Sequence, residues 1–190
     1  MFLVHRYLFL AMWLGWSFYW GVAAVDVKAT VRRESARSRL AHVIPLLLAF
    51  ILLGARRVPL PYFNARFLPL AEWPFWLGAV IAAGGLLFAI WARGYLGGNW
   101  SGTVTLKQGH ELVTHGPYAI VRHPIYTGLL LGLAGTAVAR AELRGIVAVA
   151  LAIWALWRKL RLEERWMREQ FGEAYESYSR RIAALIPFVL

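Results

Sequence analysis

The residues with the greatest chemical capacity fall in one stretch, Gly116-Pro117-Tyr118-Ala119-Ile120-Val121-Arg122-His123-Pro124-Ile125-Tyr126-Thr127-Gly128, at the start of a long apolar run. Pro124 suits the first turn of a helix, where a missing N–H costs nothing. Arg122-His123-Pro124 therefore predicts a helix start, whose free N–H groups and positive dipole end suit an anionic group of a ligand. Taken alone, the Arg-His pair reads more simply as meeting lipid phosphates, and Gly116-Pro117-Tyr118 alone is a turn. A second polar group, Lys159, Glu163 and Glu164, lies just past another apolar run. One of these glutamates could hold a ribose diol or a cationic amine. Alternatively, both belong to a solvated helix face, paired with Lys159 or Arg168 at four-residue spacing. Phe171-Gly172 with Tyr175 and Tyr178 could form a lid or pack in the core.

Several chemistries are excluded. The chain has no cysteine, so it has no disulfide, thiolate nucleophile or Cys-bound metal. His110, Glu111, His115 and His123 do not follow a common zinc spacing. There is no nucleophile elbow and no strand, Gly-rich turn and helix unit for a Rossmann site.

The elements that must position these residues are membrane helices. A hydrophobic fraction of 59% and a mean hydropathy of +0.52 over 190 residues exceed what an ordinary soluble domain carries. Ten tryptophans, many near the ends of apolar runs, fit rings at the lipid–water boundary. A spanning helix needs about 20 apolar residues. Five runs approach that length: Phe2 to Val25, Leu40 to Ala55, Pro74 to Ala92, Pro124 to Ala139 and Leu143 to Trp157. The first lacks a basic start and a cleavage site and reads as a retained helix. Pro45 is expected to kink the second, and Gly78, Gly84 and Gly85 to let the third approach a neighbour closely. Arg56 to Trp73, rich in proline and aromatics, is expected along an interface. The insertion from Arg93 to His123 carries loop chemistry at Leu96 to Gly102 and an expected hairpin around Gln108-Gly109. Arg158 to Arg181 reads as a charged amphipathic helix.

A net charge of +11 raises the question of nucleic acid. However, the basic residues lie between and after apolar runs, with no recognition helix, and this fits membrane orientation instead. Placing residues 26–39, 93–123 and 158–181 on one side gathers fifteen Lys and Arg there against six on the other. The positive-inside rule makes that side cytoplasmic and the N-terminus external. The last two runs are joined only by Arg140-Ala141-Glu142. That forces a helical hairpin, which brings Arg122, His123 and Tyr126 toward Lys159, Glu163 and Glu164.

Three pieces in this order and spacing resemble the isoprenylcysteine carboxyl methyltransferase family of integral membrane enzymes. They are Leu96-Gly97-Gly98-Asn99-Trp100-Ser101, His110 to Tyr118 running on to Gly128, and Glu163-Glu164 followed by Phe171 to Tyr178. The resemblance covers roughly residues 93 to 190. It implies methyl transfer from S-adenosylmethionine to a lipophilic or prenylated acceptor at the lipid bilayer, most simply carboxyl O-methylation of an isoprenylcysteine-type substrate. It also implies cofactor contacts at His110, Leu112, Val113, Tyr118, His123, Pro124, Tyr126 and Glu163. Where the family places an arginine four residues before the glutamate, this chain has Lys159, with Arg158 beside it; these two are the candidates for orienting a substrate carboxylate. Lysine keeps the charge but loses the two-pronged geometry of arginine.

The expected fold is an all-α integral membrane bundle of about five transmembrane helices, with a cytoplasmic cofactor-binding insertion and a C-terminal amphipathic helix. It forms a single domain over 1–190, with three spans in 1–92 and the cofactor-binding and catalytic half in 93–190. Arg-, Ala- and Leu-rich composition hints at a GC-rich bacterial source, and the expected location is then the bacterial inner membrane. The competing readings are S- or N-methylation of another lipophilic acceptor, an NADPH-dependent sterol-type reductase using Arg122, Arg158 and Arg161 for the extra phosphate, and a non-catalytic membrane scaffold.

Overall fold

A computed structural model describes residues 2–25, 28–107, 109, 111–187 and 189. The described chain is predominantly helical: α1 (Phe2–Ala23), α2 (Ala36–Gly54), α3 (Glu72–Leu96), α4 (Pro124–Arg140), α5 (Leu143–Phe171) and α6 (Glu173–Arg181). Two short strands, β1 (Thr30–Arg33) and β2 (Thr105–Lys107), pair antiparallel. Each of the five apolar runs forms its own helix. Two, α2 and the stretch Glu72–Asn99 that begins with α3, are long and apolar enough by length and composition to cross a bilayer. Ser35 caps α2 by accepting a hydrogen bond from the Ser38 N–H at 3.2 Å, and the helix continues through Pro45.

The interior is built from small residues and the outside from large ones. Ala49, Ala82, Ala89, Leu133, Ala148 and Ala152 are fully buried, whereas Leu14, Phe18, Ile51, Val80 and Leu87 are exposed. Small residues let helices approach until their backbones touch. A methyl placed on Gly85 would lie 2.6 Å from the Gly128 carbonyl oxygen, and one on Gly135 would lie 2.5 Å from that of Gly78. The faces of α3 and α4 thus meet across Gly78, Gly85, Gly128 and Gly135. Gly84, expected to share this role, faces open space instead.

Two further expectations are corrected. The hairpin around Gln108-Gly109 does not form as expected: β2 pairs with β1, from the polar connection between α1 and α2. Gln108 itself lies outside the described residues. The second concerns Arg158 to Arg181, which is not a separate helix. With no breaker at Trp157-Arg158, α5 runs 29 residues to Phe171, and the break comes at Gly172, whose φ of +51° glycine adopts without a steric penalty.

That long helix sets the site's position. At 1.5 Å per residue, α5 outruns the 17-residue α4 by about 18 Å. The turn between them is short and fixed. Ala141 closes α4 in the left-handed conformation, the Phe67 N–H donates to the Ala141 carbonyl, and the Leu143 N–H donates to that of Ala65. The far end of α5 therefore projects past the start of α4, alongside the β1–β2 ribbon. The ribbon is held by Glu34, whose carboxylate accepts from the Val104 N–H at 3.2 Å and lies 3.4 Å from the buried His42 imidazole.

Candidate active site

Beside this projection lies a cavity of about 380 Å³, within the range of small-molecule sites. Leu156, Lys159, Glu163 and Met167 form one stripe of α5 along its wall, a repeat of three and four residues that keeps them on one face. His123, Pro124, Tyr126 and Leu129 line it from the start of α4, and Leu112, Val113 and Tyr118 from the loop before. Pro124 occupies the first turn of α4, as its ring geometry predicts.

Tyr126 donates to the Glu163 carboxylate at 2.6 Å. The Lys159 ammonium lies 3.9 Å from the same carboxylate oxygen, donates to the Gly102 carbonyl at 3.0 Å and sits 5.2 Å from the centre of the Tyr126 ring. The His123 ring stacks on Tyr126, with 5.4 Å between centroids and 5° between planes. Its two nitrogens lie 3.7 Å from Glu163 and 3.4 Å from Glu164. Glu163 thus makes the expected i,i+4 pair with Lys159, but on a half-buried wall facing the cavity and not on a solvated face.

Glu164 has a different role. It is buried and accepts from the Arg122 guanidinium at 2.8 Å, while Arg122 also donates to the carbonyls of Ser179 and Ile182. Burial alone would raise the Glu164 pKa, but the hydrogen bond and charge of His123 and the Arg122 guanidinium outweigh it and hold the carboxyl at about 2. Arg122 therefore points inward and locks α4 to α5 and the C-terminal segment. That segment crosses the start of α4: the Arg122 and His123 N–H groups donate to the carbonyls of Ala183 and Ala184, and the Thr127 hydroxyl to that of Leu185. Tyr178, anchored by a 2.6 Å hydrogen bond to the Tyr118 carbonyl, and Tyr175 are both buried and line the cavity. Burial pushes the Tyr178 phenol up to about 12 and that of Tyr118 higher, so both stay neutral.

Of the residues singled out in the sequence, Lys159, Leu112, Val113, Tyr118, His123, Pro124, Tyr126 and Glu163 converge on the cavity. Arg158 does not: it donates to the Ser38 carbonyl at 3.0 Å. His110 lies outside the described residues. Sequence reasoning missed Trp16, Trp20, Leu46 and Thr105 and gave no site role to Asn99 and Trp100 of the Leu96–Ser101 motif, yet all six line the cavity. Trp16 and Trp20 stack at 4.4 Å, and Trp20 meets Trp100 edge-on at 6.0 Å. Their i,i+4 spacing in the first run was the available signal. Asn99 Oδ1 and Thr105 Oγ1 are buried without a hydrogen-bond partner among the described residues. Buried polar atoms of this kind ordinarily have partners, so two acceptor positions at this cavity await a ligand or solvent.

The family model described as phospholipid methyltransferase matches residues 73–174, which carry α3, α4, most of the loop wall and all of α5. The chain belongs to the phospholipid methyltransferase family. Relatives bear out the likeness to isoprenylcysteine methyltransferases. A probable protein-S-isoprenylcysteine O-methyltransferase of Oryza sativa subsp. indica is 37% identical over 81 residues, covering 42% of each chain. Protein-S-isoprenylcysteine O-methyltransferase A of Arabidopsis thaliana is 34% identical over 87 residues, covering 45% of this chain and 44% of its own. A longer match, 31% over 146 residues, covers 76% of this chain and 60% of the cobalt-zinc-cadmium resistance protein CzcN of Cupriavidus metallidurans. The matches to the plant relatives thus span under half of their length. Family membership weighs against the reductase reading, and Arg122 and Arg158 are engaged by Glu164 and the Ser38 carbonyl.

Proposed function

We propose that this chain is an integral membrane methyltransferase that binds S-adenosylmethionine in the cavity and methylates a lipophilic acceptor, an isoprenylcysteine-type carboxylate being the leading candidate. The observation that carries this reading is the Lys159–Glu163–Tyr126–His123 cluster, an anion and a cation side by side in a cavity walled on its other side by Trp16, Trp20, Trp100 and Leu46. A zwitterionic, aromatic cofactor fits such a site, and Asn99 and Thr105 offer it unfilled hydrogen-bonding positions. When bound, the cofactor supplies an electrophilic methyl on a sulfonium sulfur, whose displacement by a carboxylate oxygen makes an ester and a neutral thioether with no proton to move.

The remaining work is positioning, which supplies most of the acceleration in a displacement of this kind. Glu163, oriented by Tyr126, accepts hydrogen bonds from the cofactor, with Leu112, Val113, Tyr118, His123 and Pro124 forming its pocket. Lys159 orients the acceptor carboxylate by charge, and its existing bond to Gly102 keeps it from gripping too tightly. The C-terminal segment and the two buried tyrosines exclude water. No general base is required. The helices cross the bilayer as a bundle of about five spans, consistent with large apolar side chains facing outward and small ones inward. The basic residues of 28–39, 93–107 and 158–181 lie toward the cavity end, which by the positive-inside rule supports a cytoplasmic face for the cavity, in a bacterial inner membrane.

Membranes containing the protein, incubated with methyl-labelled cofactor, should yield a lipid-soluble product whose label is released by mild base, as an ester requires. Label stable to base would redirect the assignment to a thiol or amine acceptor. A folded preparation that binds no cofactor would overturn the proposal.

A further inference from the structure

At the end of the bundle opposite the active site, the α2–α3 connection and the α4–α5 turn enclose a second cavity, of about 390 Å³, lined by Arg56, Arg57, Asn64, Arg66 and Glu142. The arginine content is the unexpected feature. Of the six Lys and Arg assigned to the non-cytoplasmic side, where basic residues are disfavoured, five (Arg56, Arg57, Arg66, Arg140 and Arg144) gather around this one cup.

Three of the five have structural work. Arg66 donates to the carbonyls of Leu68, Pro69 and Arg140. Arg140 donates to that of Ala55. Arg144, fully buried, donates to Ala55, Arg56 and the Glu142 carboxylate. Carbonyl contacts orient these guanidinium groups without neutralising them, and Glu142 is the one carboxylate lining the cup among the described residues. The Arg56 and Arg57 side chains are exposed and make neither a hydrogen bond nor an ion pair among the described residues, although the Arg56 carbonyl accepts from Arg144. Asn64, bonded to the backbone of Val58 and Leu60, holds the loop in its curved form. Around the rim, Leu60, Tyr62, Leu70 and Trp73 present exposed apolar side chains, the composition of a segment at a bilayer surface.

We propose that this cup binds a phosphate group, with Arg56 and Arg57 as the two charge-assisted donors and the apolar rim receiving lipid chains when the phosphate is that of an anionic phospholipid. Guanidinium groups suit phosphate oxygens through paired donors, and a phosphate at this level of the bilayer would offset the excess of positive charge.

The full chain in detergent can be titrated with short-chain phosphatidylglycerol and, as a control without phosphate, the matching diacylglycerol. Wild type should bind the phospholipid and not the diacylglycerol. R56Q/R57Q should weaken phospholipid binding about thirtyfold, from two surface arginines, while R56K/R57K keeps most of it. R180Q/R181Q removes the same charge from exposed α6 and should change binding less than about threefold. Competition by inorganic phosphate would assign the cup to free phosphate; its absence would assign it to the lipid-borne group. Undiminished binding by R56Q/R57Q, or an equal loss in R180Q/R181Q, overturns the proposal, and helical circular dichroism shows whether each variant is folded.

Discussion

Glu163 and Glu164 are neighbours in sequence, yet the helix turns one toward the cavity and the other into the packing between α4, α5 and the C-terminal segment. Their substitutions should therefore fail differently. Glu163→Gln removes a charged acceptor and should weaken cofactor affinity by about tenfold to a hundredfold, at about 1.5–3 kcal/mol per charged hydrogen bond, measured by calorimetry. Tyr126→Phe removes only the hydroxyl that orients Glu163 and should lose less. Arg122→Ala, by leaving Glu164 buried without its main partner, should instead cost about 3–5 kcal/mol of stability. The Glu164 carboxyl is held at about 2, below its ordinary value of 4.5, so the folded state binds its proton more weakly than the unfolded state. Its contribution is complete above the ordinary value and is lost as pH falls toward 2. Acid unfolding of wild type should show this loss, and Glu164→Gln should flatten it. The facing of Lys159 and Glu163 was readable in advance because a four-residue interval fixes a shared helix face. The inward turn of Arg122 was not, since nothing local distinguishes a lipid phosphate from a buried carboxylate 42 residues away.

At the scale of elements, the contact between α3 and α4 depends on missing side chains. Gly85→Leu has no room against Gly128 and should destabilise the bundle by about 1–3 kcal/mol or prevent folding. Gly84→Leu, one residue away and facing open space, should leave thermal stability nearly unchanged. Hydrophobic runs and glycine-rich stretches were legible in the sequence, but which of two adjacent glycines meets a partner depends on helix rotation, which tertiary packing decides. The same limit explains the β-ribbon. Thr105–Lys107 has strand character, but its partner lies some 75 residues earlier in the chain, and periodicity carries no information about pairing at that distance. The continuity of α5 past Trp157 was hidden for another reason: a change from apolar to charged composition marks a change of surroundings, not the end of a helix.

At the scale of the molecule, the C-terminal segment secures the site through four hydrogen bonds at the start of α4, two from Arg122 and one each from His123 and Thr127. Deleting residues 182–190 should reduce cofactor binding more than it reduces helical content, a difference that paired calorimetry and circular dichroism would detect. The cavity also draws on both ends of the chain. Trp16, Trp20 and Leu46 precede the region shared with the methyltransferase family, whereas Glu163, Tyr126 and His123 fall within it. Because α1 and α2 supply Trp16, Trp20 and Leu46 while the matched region supplies Trp100 and the charged cluster, exchange of α1 and α2 between relatives becomes a route to chimaeras that alter one part of the cavity wall and keep the other. Under the proposed function, acceptor preference would then be set by substitutions on two helices that leave the charged cluster untouched.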